Sequence, residues 1–159
     1  MLKSKNISKK ITILIVAFCI CTLGNLFFKY LISDNNIIKG FYKAEEYFDP
    51  FATQDSVDYC KYYYNSEYDV IFSNKYSKIS EENIQGIKEY FSKFKEWMDA
   101  CDRLKEYDFD ENIIDNNDFC LLYDKSNYNN NVEYKKFEYF TIYFYDTNSH
   151  ILYYIHANI

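Results

Sequence analysis

The stretch from Ile11 to Phe28 carries no charge and only one strongly polar residue, Asn25. A run that is apolar on every side cannot serve as the surface helix of a small soluble domain. At about 1.5 Å of rise per residue, roughly 20 helical residues cross a hydrocarbon core about 30 Å thick. The run reaches that length when Tyr30, Leu31 and Ile32 continue the helix and Lys29 carries its ammonium out to the headgroups. Tyr30 also suits the aromatic belt of a membrane interface. Residues 11–32 are therefore expected to be a transmembrane signal-anchor helix in contact with lipid.

Lys3, Lys5, Lys9 and Lys10 precede the run, and no acidic residue occurs before Asp34. This bias predicts that residues 1–10 form a basic cytoplasmic tail and that residues 34–159 form an extracytoplasmic domain. A cleaved signal peptide, which would leave a secreted domain, is the competing reading. Thr22-Leu23-Gly24 offers small residues for it, but an Ala-x-Ala site is missing and apolar residues resume at Leu26. A lipoprotein site would need a small residue before a cysteine, whereas Phe18 precedes Cys19 and Ile20 precedes Cys21. The uncleaved anchor fits best.

Charge divides at the same place. Five of the 18 basic residues lie before residue 34 and all 24 acidic residues lie after it, leaving the outer part with a net −11. Such a balance repels phosphate backbones and argues against nucleic-acid binding. Aromatic residues make up 21 % of the chain, with 19 tyrosines against 3 glycines and 1 proline. Large rings bury much area, so residues 34–159 are expected to form one ordered domain of regular elements.

Periodicity then suggests the elements. Ile37, Ile38, Phe41, Ala44 and Phe48 read as one face of a short helix that Asp49-Pro50 stops. Thr53 or Asp55 can cap a second helix to about Asn65, with Val57, Cys60 and Tyr64 along one side. Asp69 to Ser73 reads as a short strand. Ser80 caps a long helix over Glu81 to Leu104, whose Ile84, Ile87, Phe91, Phe94, Met98 and Cys101 share one face.

The period then changes to two. Phe119 to Tyr123 is a strand, followed by a polar loop at 127–131 and two longer strands at about 134–145 and 150–157. Setting Tyr145 opposite His150 pairs Phe144 with Ile151, Ile142 with Tyr153 and Phe140 with Ile155 on one apolar face. That face should pack on the long helix. The expected fold is α+β, with two or three helices on one face of an antiparallel sheet of three to four strands. Its element order is compatible with a cone of the cystatin-like or nuclear-transport-factor-like kind, an analogy of fold alone.

The other face of this hairpin carries Tyr139, Tyr143, Tyr145, Tyr154 and the two histidines, His150 and His156, and is the candidate binding face. Six residues of strand put the histidines too far apart to share a metal ion. Cys60 and Cys101, both on inward helical phases, are a candidate disulfide. Asp108, Asp110 and Asn112 start like a calcium loop, but Ile113 stands where glycine is needed and Phe119 where a glutamate belongs. No sequence motif calls for a cofactor or a metal. The function expected is non-catalytic binding of a protein, a peptide or a small ligand at the membrane surface. The alternatives are a small enzyme with a pocket between the long helix and the sheet, or a subunit of a membrane complex held through Asn25.

Overall fold

The computed structural model describes residues 38–48, 56–127 and 135–159. The chain divides into two units, Met1–Lys39 and Gly40–Ile159, and the architecture that follows is that of the second. The expected anchor at residues 11–32 lies outside the described residues. Among the described residues, no helix is long and apolar enough to cross a membrane.

The elements run β1 (Lys43–Tyr47), β2 (Ser56–Tyr63), α1 (Asp69–Lys75), β3 (Ser77–Lys78), α2 (Ile84–Ala100), β4 (Phe119–Asp124), β5 (Tyr139–Asp146) and β6 (Ile151–Asn158). The strands form one six-stranded antiparallel sheet in the order β1-β2-β6-β5-β4-β3. The fold is α+β as expected, but the sheet has more than three or four strands. The helices also take opposite faces: α2 packs against Phe140 and Phe144, whereas Phe72 of α1 stacks on Tyr145 at 4.1 Å. Adjacent residues of a strand point to opposite faces, so the sheet is sandwiched rather than backed on one side.

Three local expectations are corrected. The segment read as a helix over 37–48 contains the edge strand β1, where Lys43, Glu45 and Glu46 supply the charges that protect a sheet edge. The segment read as a second helix to Asn65 is β2. Its Val57, Tyr59 and Lys61 face α2 while Cys60 and Tyr62 face away, and burial on both faces hides the alternation. Asp69 to Ser73, read as a strand, lies within the helix Asp69–Lys75, whose sole buried residue is Phe72. Ser73 Oγ and Asn74 Nδ2 both donate to the Val70 carbonyl and reinforce its roughly two turns.

The long helix forms inside its expected bounds but is shorter, Ile84–Ala100 rather than Glu81 to Leu104, with Asn83 and not Ser80 at its N-cap. Ser80 opens the turn before it, accepting from the Asn83 and Ile84 amides through its carbonyl, and Ile87, Tyr90, Phe91, Phe94 and Met98 are buried. Phe91 stacks on Phe109 at 4.1 Å, and Phe140 lies edge-on to Tyr90 at 4.9 Å. The β5–β6 register differs from the expected one by two residues: Phe144 pairs with Tyr153, Ile142 with Ile155 and Phe140 with Ala157. An even shift leaves every side chain on its expected face.

At its C-terminus α2 closes in a Schellman arrangement. The Arg103 amide donates to the Met98 carbonyl at 2.8 Å and the Asp102 amide to Asp99 at 3.0 Å, with Asp102 at φ +57°. The turn aims Arg103 at the strands, where its guanidinium donates to the carbonyls of Val57 and Tyr47 and to Glu106. A non-glycine residue in the left-handed region costs on the order of 1 kcal/mol. Asp102→Gly is therefore expected to raise unfolding stability by about that amount, read as a higher urea midpoint at unchanged slope.

Candidate functional site

The face turned away from α2 is built by the alternate residues of five strands. Across it run Cys60, Tyr154 and Tyr143 in one row and Asp58, His156 and Thr141 in the next, each set by cross-strand pairing. Tyr139, Tyr143, Tyr145, Tyr154 and His156 share this face as expected, while His150 sits in the turn that joins β5 to β6. The structure divides the face into a covered half and an open half.

The covered half lies beneath α1. Phe72 packs between Tyr145, Tyr64 at 5.0 Å and Tyr76 at 5.2 Å, so Tyr143 and Tyr145 are buried core residues rather than binding surface. A polar clip holds α1 in place. The Tyr145 hydroxyl donates to Asp69 Oδ1 at 2.6 Å, and His150 Nδ1 lies 3.1 Å from the same oxygen. His150, at φ +56°, also accepts the Tyr64 amide through its carbonyl and fixes the end of β2. The turn is further held by Asp146, which accepts from the Asn148 amide and the Ser149 hydroxyl, and by Asp118, which accepts from the Thr147 amide and hydroxyl. Burial pushes the Asp118 carboxyl above its ordinary pKa, against the pull of the Asp115 and Thr147 amides.

The open half carries Tyr123, Tyr139, Thr141, Tyr154 and His156, of which Tyr123 is exposed and the others half-buried. His156 Nδ1 lies 2.9 Å from Thr141 Oγ1, and its ring meets Tyr139 edge-on at 5.2 Å. Lys125 Nζ stands 3.4 Å above the centre of the Tyr139 ring, a cation–π contact. Burial holds the His156 pKa below the usual imidazole value; Lys125 acts the same way, while Asp58 and a bond to the Phe140 backbone act against it. The row therefore presents a neutral imidazole between aromatic rings, and the two histidines lie far apart, His150 just before β6 and His156 near its C-terminal end. Sequence reasoning missed Tyr123, whose place on this face follows only once β4 pairs with β5.

The other charged cluster lies on the α2 side at the β1 edge. The buried Lys61 ammonium bridges Glu45 and Asp108 at 2.6 Å each, and Tyr59 also donates to Asp108 at 2.8 Å. Burial pulls the Lys61 pKa down, but the paired carboxylates outweigh it and hold the ammonium above its ordinary value. Hydrogen bonds from Lys43, Lys61 and Tyr63 hold Glu45 at about 2. The calcium-like segment is thus occupied otherwise. Asp108 serves Lys61, Asp110 accepts from Asn112, and Asp115 accepts from Asn117. Among the described residues, no group of three or more His, Cys, Asp or Glu residues could hold a metal ion.

The expected Cys60–Cys101 bridge is corrected as well. Cys60 lies on a strand and faces away from α2, whereas Cys101 is exposed at the end of that helix, so the sheet stands between them. Cys60, Cys101 and Cys120 are all free thiols. Comparison with protein-family models, with characterised proteins and with solved structures gives no match.

Two outcomes are expected. Burial pushes the thiols of Cys60 and Cys120 up to about 12, so brief alkylation of the native protein at mildly alkaline pH should modify Cys101 and spare those two, as read by peptide mass mapping. For His156, a folded pKa below the unfolded one favours the neutral form. Its contribution is present above the unfolded value and is lost as pH falls through the folded one. The urea midpoint should therefore drop between pH 7.5 and pH 5.5, and drop less in His156→Gln.

Proposed function

We propose that this chain is a single-pass membrane protein, with residues 11–32 as an uncleaved signal-anchor and residues 34–159 outside. The outer domain has a non-catalytic binding role, holding a protein or peptide partner or a small ligand at the membrane surface. The observation that carries the binding reading is the open half of the tyrosine face. There Tyr139 and Tyr154 stand beside a neutral His156 on the central strands β5 and β6, which are paired on both sides, and Tyr123 joins them from the neighbouring strand β4. Rings held by a sheet offer contact area at small entropic cost, which favours association. The net charge of −11 beyond residue 33 favours a cationic partner over a phosphate-rich one. The interior between α2 and the sheet, where an enzyme of this architecture would need its pocket, is filled by Phe91, Phe94, Phe140 and Phe144.

Two experiments test the reading. A benzoylphenylalanine photo-crosslinker at Tyr123 in intact membranes should give a partner adduct that the same probe at Lys95, on the outward side of α2, does not. Absence of the adduct, or equal yields at the two positions, ends the assignment of this face. Protease added outside intact cells should digest residues 40–159; protection of those residues, while a known surface protein is cut, ends the outward orientation.

A further inference from the structure

We infer that the domain has a membrane-contact end, at which Phe41, Tyr42, Val70 and Ile71 rest on the polar–apolar boundary of the bilayer. This inference rests on the signal-anchor reading proposed for residues 11–32. All four side chains are exposed, and two of them stand out: Tyr42 and Val70 are each 66 % exposed, against 41 % for Ile71 and 38 % for Phe41. Packing gathers them at one end of the sheet. The Tyr42 amide donates to the Tyr63 carbonyl where β2 finishes, and the Phe41 ring lies against Tyr62 at 5.0 Å and Tyr64 at 6.4 Å. Tyr64 in turn contacts Phe72, next to Val70 and Ile71 in α1. Gly40, at φ +83°, lets the chain press directly against Tyr68, because a Cβ there would fall 1.8 Å from the Tyr68 hydroxyl.

Chain reach selects this end. Only residues 33–40 separate the expected span from Phe41, a tether of at most about 28 Å when fully extended. The eight-residue strands are themselves about 26 Å long. Presenting the far end to the membrane would therefore consume the whole tether in running the length of the sheet. The near end needs almost none of it. Tyrosine is also a side chain that settles at a headgroup boundary, with its ring in the apolar part and its hydroxyl in the wet part.

The test uses the full chain in phosphatidylcholine vesicles, with Cys19 and Cys21 replaced by alanine and Cys101 by serine. A nitrobenzoxadiazole label is placed on Ile71→Cys, on Tyr42→Cys, or on Leu104→Cys. Leu104 is the control because it is 37 % exposed yet belongs to the far end, beside Arg103, which binds the Val57 and Tyr47 carbonyls. Lipids carrying a shallow nitroxide should quench the labels at 71 and 42 several-fold more than the label at 104. Equal or negligible quenching at all three sites, in protein that still floats with the vesicles after carbonate washing, overturns the contact and leaves the anchor standing. Loss of flotation overturns the anchor reading, and this inference with it.

Discussion

Because β5 and β6 occupy the middle of the sheet, each is paired on both sides, and their side chains alternate between two different environments. On one side Phe140, Ile142, Phe144, Ile155 and Ala157 build the core with α2. On the other, Leu152, Tyr143 and Tyr145 build a smaller aromatic core with α1, and the remaining residues stay partly open. A slip of one residue would exchange these environments, putting Thr141 and His156 under α2 and Phe140 and Phe144 into the half-open row. The pairing therefore fixes the core and the candidate site together. Buried carboxylates enforce it at the turn, where Asp118 and Asp146 accept hydrogen bonds from the loop that joins the strands.

The same logic explains the wealth of tyrosine. A two-sided sheet with one long helix on one face and only a seven-residue helix on the other needs residues that fill space yet tolerate a wet boundary. Tyr59, Tyr62, Tyr90, Tyr107 and Tyr145 do so by sending their hydroxyls to carboxylates or carbonyls at the edge of the packing. Several acidic side chains thereby become internal hydrogen-bond acceptors: Asp69, Asp108 and Asp124 each take a tyrosine hydroxyl. Acidity and aromaticity act as one structural system here, and the net charge of the domain overstates how much negative charge is left to greet a partner.

What could be read from the amino-acid order, and what could not, follows from how each segment is covered. The long helix was legible because one side of it meets solvent, so Ile87, Phe91, Phe94 and Met98 stand out against Lys88, Lys95 and Glu96. The faces of the terminal hairpin were legible because its period is two, although its exact pairing was not, since a shift of two leaves the faces unchanged. β2 was illegible because both its faces are largely buried and its polar residues break phase: Ser56 and Asp58 share a face with Cys60 and Tyr62, while Lys61 shares the other with Val57 and Tyr59. For α1, Val70, Ile71 and Phe72 carry strand propensity, and only the contact of Phe72 with Tyr145 decides for helix. That mistake reached the site itself: with residues 69–73 read as a strand, nothing covered Tyr143 and Tyr145.

The clip between Asp69, Tyr145 and His150 has a dynamic consequence. α1 is seven residues long, buries one side chain and is closed by a single polar cluster, so its opening costs far less than unfolding the sheet. Its release would also hydrate Tyr64 and Tyr76, whose buried hydroxyls have no hydrogen-bond partner among the described residues. The amides of residues 69–75 should therefore exchange with solvent as a unit of their own, well ahead of β5 and β6. The domain is in this sense two bodies on different clocks: a sheet and long helix that open only on global unfolding, and a small hinged cover over half of the tyrosine face.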